Sequence, residues 1–393
     1  MKLRQLASTL VLAGASLILA GCSTLGNTLD ALNPFGTATP KARPSPLPAF
    51  QPRAELARLW QAGIGAASDH AFTPAVVGSQ VFVAARDGAL ARFDNGRPVW
   101  RINAGKTLSG GVGAHDKLVV VGTPEGEVLA FHAEDGRPAW QARAGSEILA
   151  APAVAADLVV VRGGDARIFA FEAADGKRRW VHQRSIPALT LRSSAGVVMT
   201  EQAVYAGFPG GRLAAVARHN GATLWEATVA LPRGTTEIER LADVASDPVV
   251  EGGAICAVAY QGRVACFDVD NGRQLWAREV SSVAGLDIGN RAVFVTDDKG
   301  VLLAFDRNSG ASVWKQDKLA QRGVGRPLAV GRRLAVADFE GQVHLLAEDD
   351  GAFVARAATD GSPVVASLRR LRGVEDALVV QTRNGGVFAL QVK

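Results

Sequence analysis

The stretch that decides the architecture is Glu125-Gly126-Glu127-Val128-Leu129-Ala130-Phe131-His132-Ala133-Glu134-Asp135-Gly136-Arg137-Pro138-Ala139-Trp140. A short apolar run follows the first glycine, a second glycine closes a polar turn, and a tryptophan stands just beyond it. The same frame returns at Gly262, Phe267, Gly272 and Trp276, and again at Gly300, Phe305, Gly310 and Trp314. Weaker copies are Asp87-Gly88 ahead of Trp100, Asp165-Ala166 ahead of Trp180, and Gly210-Gly211 ahead of Trp225. With Trp60 and Trp140, all 7 tryptophans share one register, at gaps of 40, 40, 40, 45, 51 and 38 residues.

A period near 40 residues signals stacked repeats. Here the repeating material is strand: Val81-Phe82-Val83 and Leu158-Val159-Val160-Val161 are apolar, β-branched runs set off by Gly, Asp and Asn. In the third copy, strands are predicted near 148–154, 157–162, 166–172 and 177–183, with Trp180 on the fourth and outermost. The expected fold is all-β, an eight-bladed β-propeller of four-stranded antiparallel blades.

The ends of the series agree with that count. After Glu340-Gly341 and Asp350-Gly351, Ala355 stands where a tryptophan belongs. The final copy, Gly385-Gly386-Val387-Phe388-Ala389-Leu390, stops before one, and Trp60 opens the series without a preceding half-repeat. Residues 361–392 therefore supply three strands of the eighth blade and residues 55–63 its fourth. Pairing the N-terminal strand with the last blade closes the ring and removes exposed sheet edges. Seven blades plus a stray hairpin would leave Trp60 without a role. The tryptophans are expected as structural wedges between blades, the preceding glycine letting the outer strand swing back tightly.

Ahead of the repeats, residues 1–22 read MKLRQLASTLVLAGASLILAGC. Lys2 and Arg4 precede an apolar run from Leu6 to Leu19, which is a secretory signal and too short for a permanent span. Leu19-Ala20-Gly21-Cys22 resembles the bacterial lipobox, implying a signal peptide over 1–21 and acylation of Cys22. Several acyl chains on one residue give durable membrane attachment. Ser23 in place of aspartate resembles the outer-membrane sorting pattern, so the expected location is the periplasmic face of the outer membrane, held by lipid alone. Residues 22–52 hold Pro34, Pro40, Pro44, Pro46, Pro48 and Pro52 and are expected as an extended spacer that buries little. Its apolar knot is Leu29, Leu32 and Phe35, and the propeller occupies 53–393.

The chain is 48% hydrophobic and 21% charged, enough apolar material for a large core and incompatible with wholesale disorder. Lys and Arg (43) exceed Asp and Glu (38) by a margin too thin and scattered for nucleic-acid binding.

The unit Ala170-x-Glu172-x-x-x-Gly176-x-x-x-Trp180 resembles the tryptophan-docking repeat of quinoprotein dehydrogenases, which bind pyrroloquinoline quinone (PQQ) with calcium over an eight-bladed propeller. Taken with the lipobox and spacer, the whole mature chain is more similar to the BamB family, propeller lipoproteins of the outer-membrane β-barrel assembly machinery. The segments carrying this resemblance are Leu189-Thr190-Leu191-Arg192-Ser193-Ser194 and residues 236–244, followed by Asp247-Pro248. It implies a non-enzymatic scaffold whose loops beside the fourth and fifth blades contact the periplasmic POTRA domains of the barrel subunit, BamA. Other assembly subunits and unfolded barrel precursors are the further partners it implies. The carried-over contacts are Leu189, Leu191, Arg192 and Asp243, and Ala245 departs from an acidic residue often seen there in the family.

The residues point to the second segment on their own account. The gap from Trp225 to Trp276 is the longest, and excess length in a repeat maps to a loop on one face, frequently the binding face. Glu237, Glu239, Arg240 and Asp243 there mix charge with Ile238 and Leu241.

No catalytic or metal constellation is legible. The 6 histidines are scattered without zinc-ligand spacing, and there is no G-x-S-x-G elbow or Walker loop, so neither metal nor cofactor is expected. Quinoprotein catalysis in the resembling dehydrogenases uses a ring of neighbouring cysteines, and Cys22, Cys256 and Cys266 include no adjacent pair. A PQQ-dependent periplasmic oxidoreductase is the alternative reading. Cys256 and Cys266 flank Tyr260-Gln261-Gly262. A three-residue loop with Gly262 left-handed sets them opposite each other on one sheet face, whereas a two-residue Gln261-Gly262 turn points them to opposite faces. The first geometry permits a disulfide in an oxidising compartment, and the second leaves two buried thiols.

Overall fold

The structure, a computed structural model, describes residues 43–393. The signal segment 1–21, Cys22 and the spacer as far as residue 42, with Leu29, Leu32 and Phe35, lie outside the described residues. Thirty-two strands form eight four-stranded antiparallel sheets, and no helix occurs among the described residues. Each blade runs outward from a short first strand lining the axis to a fourth at the rim, and the first strands of blades 1 and 8 touch. Blade 3, for example, uses Ala153–Val154, Leu158–Arg162, Ile168–Glu172 and Arg178–His182. Its innermost strand is only two residues long, shorter than the run predicted for it. The core consists of apolar clusters that mostly alternate with the blades, each sealing one blade against the next.

Every tryptophan lies on a fourth strand, and its indole crosses to the following blade. Trp100, Trp140, Trp180, Trp225, Trp276 and Trp314 donate Nε1–H to the carbonyls of Ala133, Ala173, Arg218, Val269, Arg307 and Glu348, at 2.8 to 3.0 Å. Each ring packs on the glycine of that blade's outer turn. A Cβ added to Gly176, whose φ is +72°, would stand 2.5 Å from Trp140. The glycine is therefore required twice, for its backbone and for the ring above it.

In each blade the residue just before the tryptophan position bulges out of register with the third strand. This bulged residue faces outward, which accounts for the exposed Leu59, Val99, Leu224, Leu275 and Val313 around the rim. Bulges twist an edge strand away from further pairing.

Blade 8 is closed by the chain ends. Leu56–Gly63 pairs with Gly386–Val392, and Glu55 and Lys393 exchange backbone hydrogen bonds at 2.9 and 3.0 Å. The missing tryptophan now has a reason. No turn joins the third and fourth strands of blade 8, which come from Gly386–Val392 and Leu56–Gly63, so blade 7 has no turn glycine to dock on, and buried Ala355 suffices.

From residue 44 the described end of the proline-rich segment lies on blade 7 rather than free in solvent. Ser45 N–H donates to Ala320 O at 3.0 Å and Arg53 N–H to Val354 O at 2.9 Å. Arg322 and Arg356 donate to the carbonyls of Ser45 and Pro48, each at 3.0 Å, and Phe50 stacks on Phe353. Val354 is the bulge residue of blade 7, and this strap covers it.

Candidate functional site

Two connections between blades define the site. The one from blade 3 to blade 4 carries Leu189–Ser194, and the one from blade 4 to blade 5 carries the long insertion. Both lie on the side where second strands turn into third strands. Asp243 joins them: it is 3% exposed, its Oδ2 accepts the N–H of Leu191 at 2.7 Å, and its Oδ1 accepts that of Gly210 at 3.0 Å. Asp247 repeats the arrangement one turn later, accepting Gly196 N–H at 2.6 Å and Arg326 Nη1–H at 3.3 Å. Burying the Asp243 carboxylate is tolerable only with such donors, and it and the half-buried Asp247 hold the loop of blade 4 by its backbone.

Arg192 projects from that loop and forks onto Glu147, with Nε and Nη2 at 3.1 and 3.0 Å from its two oxygens. The Glu147 carboxylate pushes the guanidinium pKa up, so Arg192 stays charged. Beneath the loop lies Arg162, buried, donating to Ala195 O at 3.3 Å and resting over the Phe208 ring. Burial pulls its pKa down to about 10, against the opposing pull of Asp247 and Asp243, and it remains charged at neutral pH. Sequence reasoning singled out neither Arg162 nor Glu147. The signal for Arg162 was a charge ending the run Leu158-Val159-Val160-Val161, where the strand should stay apolar.

The insertion folds into one turn rather than a helix. Thr236 and Glu239 form a reciprocal cap: Glu239 N–H donates to Thr236 Oγ1 at 3.2 Å, and Thr236 N–H to Glu239 Oε2 at 3.1 Å. The backbone N–H groups of Thr235 and Thr236, with the Thr235 hydroxyl, hold the Glu239 carboxyl below the usual carboxylate range. The turn lifts Ile238 into solvent, 67% exposed, beside exposed Glu237 and Arg240, while Leu189 on the other connection is 41% exposed. Leu191 is half-buried. Of the residues singled out in the sequence, Leu189, Arg192, Glu237 and Arg240 thus stand on the surface of one face, and Asp243 lies inside, holding the loop.

The turn of blade 5 takes a form other than the one expected. Cys256 is directly opposite Cys266, the register of a three-residue loop, and the two are joined as a disulfide. Yet the left-handed residue is Gln261, at φ +47°, and not Gly262. Gln261 gains from this conformation: its N–H reaches Ser281 Oγ at 2.7 Å, and its amide nitrogen, suitably oriented, faces the carbonyls of Ile238, Glu239 and Leu241 at 3.0 to 3.3 Å. Gly262 is needed for closeness instead, because a Cβ there would lie 2.5 Å from that of Ala230.

Among the described residues, no group of three or more His, Cys, Asp or Glu side chains is placed to hold a metal ion.

With this geometry in hand, known proteins resemble the chain as follows. Residues 86–316 and 299–393 match the family model described as outer membrane protein assembly factor BamB. The chain is 40% identical to the outer membrane protein assembly factor BamB of Bordetella pertussis, over 95% of this chain and 94% of that one. It is 38% identical to the protein of that name from Burkholderia pseudomallei, over 99% of each. Among solved structures, BamB from Moraxella catarrhalis superposes with a TM-score of 0.78 at 28% identity, covering 86% of this chain and 99% of that one. A quinohemoprotein alcohol dehydrogenase from Comamonas testosteroni, at 15% identity and a TM-score of 0.66 over 85% of this chain and 76% of that one, shares the fold alone.

Proposed function

The chain belongs to the BamB family of outer membrane protein assembly factors, and from that premise we propose that it is a scaffold without chemistry of its own, binding the periplasmic POTRA domains of BamA. The binding face is the pair of connections beside blades 4 and 5, with Leu189, Leu191, Arg192, Glu237 and Arg240 at the contact and Asp243 behind it. Acyl chains on Cys22 hold the protein to the periplasmic face of the outer membrane, and barrel precursors pass alongside.

The observation that carries this reading is the hydrogen bond from Leu191 N–H to Asp243, which makes two separate connections one rigid surface. A surface fixed in advance loses little conformational freedom on binding. Exposed Leu189 and Ile238, flanked by Arg192 and Arg240, give it the apolar centre and charged rim of an interface hot spot. The test is co-purification with the barrel subunit. Replacing Leu189 and Arg192 by alanine should abolish it while circular dichroism and thermal unfolding stay native, and undiminished recovery of the complex overturns the assignment.

A further inference from the structure

On the side of the binding face, the central channel opens into a cavity of about 150 Å³. Its wall comes from the residues that lead into the first strands of seven blades, among them Thr73, Ser194, Ser246, Arg326, Ser367 and Arg369. The charges around it do not balance. Asp247 is satisfied by Gly196 N–H and Arg326, and Asp287 by Ala329 N–H at 2.8 Å with Arg370 at 3.9 Å. Arg326 also donates to Leu286 O at 2.9 Å. That leaves Arg369, which makes neither a hydrogen bond nor an ion pair with any described residue. Enclosure and the neighbouring Arg326 push its pKa down, against the opposing pull of Asp247 and Asp287.

Arg326 and Arg369 stand on one cavity wall with a single lining carboxylate, Asp247, whose ion pair is with Arg326. An unmatched guanidinium beside a second one is what a bound oxyanion would complete, through charge-assisted hydrogen bonds. We propose that this cavity is a binding site for a small oxyanion, a phosphate group, held chiefly by Arg369 with Arg326. The size argues for a group of that kind. Sites for drug-sized ligands occupy about 300–1,000 Å³, so a multi-ring cofactor does not fit where a phosphate does.

The experiment is calorimetric titration of the full mature protein with inorganic phosphate and, separately, with glycerol 3-phosphate, at constant ionic strength set by chloride. Saturable binding of either is expected, and its preference between the two identifies a free ion or a lipid headgroup as the source. Arg369→Gln should weaken affinity about tenfold or more, the usual effect of losing a charged hydrogen bond. Arg332→Gln, at the opposite mouth of the channel, should change nothing. Should Arg369→Gln fail to fold, Arg369→Lys and the phosphorus NMR linewidth of phosphate with the unaltered protein decide the matter. Absence of saturable binding by both anions at millimolar concentration, or equal affinity with and without the Arg369 guanidinium, overturns the proposal.

Discussion

Asp243 and Leu191, separated by 52 residues of chain, are locked together through a 2.7 Å hydrogen bond from the Leu191 backbone to the buried carboxylate. Asp243 therefore shapes the proposed binding face while itself being only 3% exposed.

Asp243→Ala should consequently behave as an interface mutation at a distance. Two part-buried N–H groups, those of Leu191 and Gly210, lose their acceptor, which destabilises by about 1–3 kcal/mol. Amide exchange at Leu191 should accelerate, and recovery of the barrel subunit should fall as far as for Arg192→Ala. Normal recovery with fast exchange at Leu191 would show that loop order is irrelevant to binding.

The tryptophan–glycine contact is open to a double-mutant cycle. Trp140→Ala should cost about 3–5 kcal/mol, as large-to-small core changes do. Trp140→Phe, which loses mainly the bond to Ala173 O, should cost about 1 kcal/mol. Gly176→Ala forces a Cβ at φ +72° into the indole and should destabilise on its own. Combined with Trp140→Ala, its effect should shrink, because the clash is gone. Urea midpoints of the four proteins give the coupling.

The disulfide closes a short loop within blade 5. Removing it by Cys256→Ala with Cys266→Ala should lower stability by about 2–3 kcal/mol and leave partner binding intact. Thiol labelling of the unreduced, denatured protein should find neither residue reactive, and labelling of both would show that the bond does not form.

A buried histidine makes the strap sensitive to acid. His344 Nδ1 accepts Arg356 Nε–H at 3.1 Å, so the proton sits on Nε2, which faces Asp338 at 3.1 Å. Burial lowers its pKa from 6.5, with Arg356 and Arg322 adding to that and Asp338 opposing it. The unfolded chain thus binds a proton at a higher pH than the folded one, and stability falls as pH drops below 6.5. The slope contributed by this one group is at most about 1.4 kcal/mol per pH unit. His344→Gln, which keeps a donor and an acceptor in place, should flatten the dependence below pH 6.5 in urea unfolding. An unchanged slope would assign the acid sensitivity to other groups.

The tryptophan register was enough to read eight blades, the strand at Trp60 and the closure of the ring, because one side chain per repeat does the same mechanical job at each blade boundary. The strap was not legible. Its docking depends on Arg322 and Arg356, some three hundred residues away, and prolines with small polar residues look alike whether solvated or laid on a surface. Asp243 was legible as important and not as buried, since a charged residue in a long insertion reads as surface. Gln261 illustrates a third limit. Glycine next to it is the default left-handed residue, and only the approach of Ala230 and the reach of the Gln261 amide reverse the choice.

Closure through the termini also sets an order of events in the making of the molecule. Leu56–Gly63 is among the first described residues to be synthesised, and its partner, Gly386–Val392, follows roughly 330 residues later. At about 5–20 residues per second, the first strand waits tens of seconds with a bare edge. Seven blades can form on such a chain, and the eighth cannot. A nascent or clipped product lacking only its final strand is therefore an open arc with two free edges, a form that quality-control proteases and aggregation can distinguish from the finished ring.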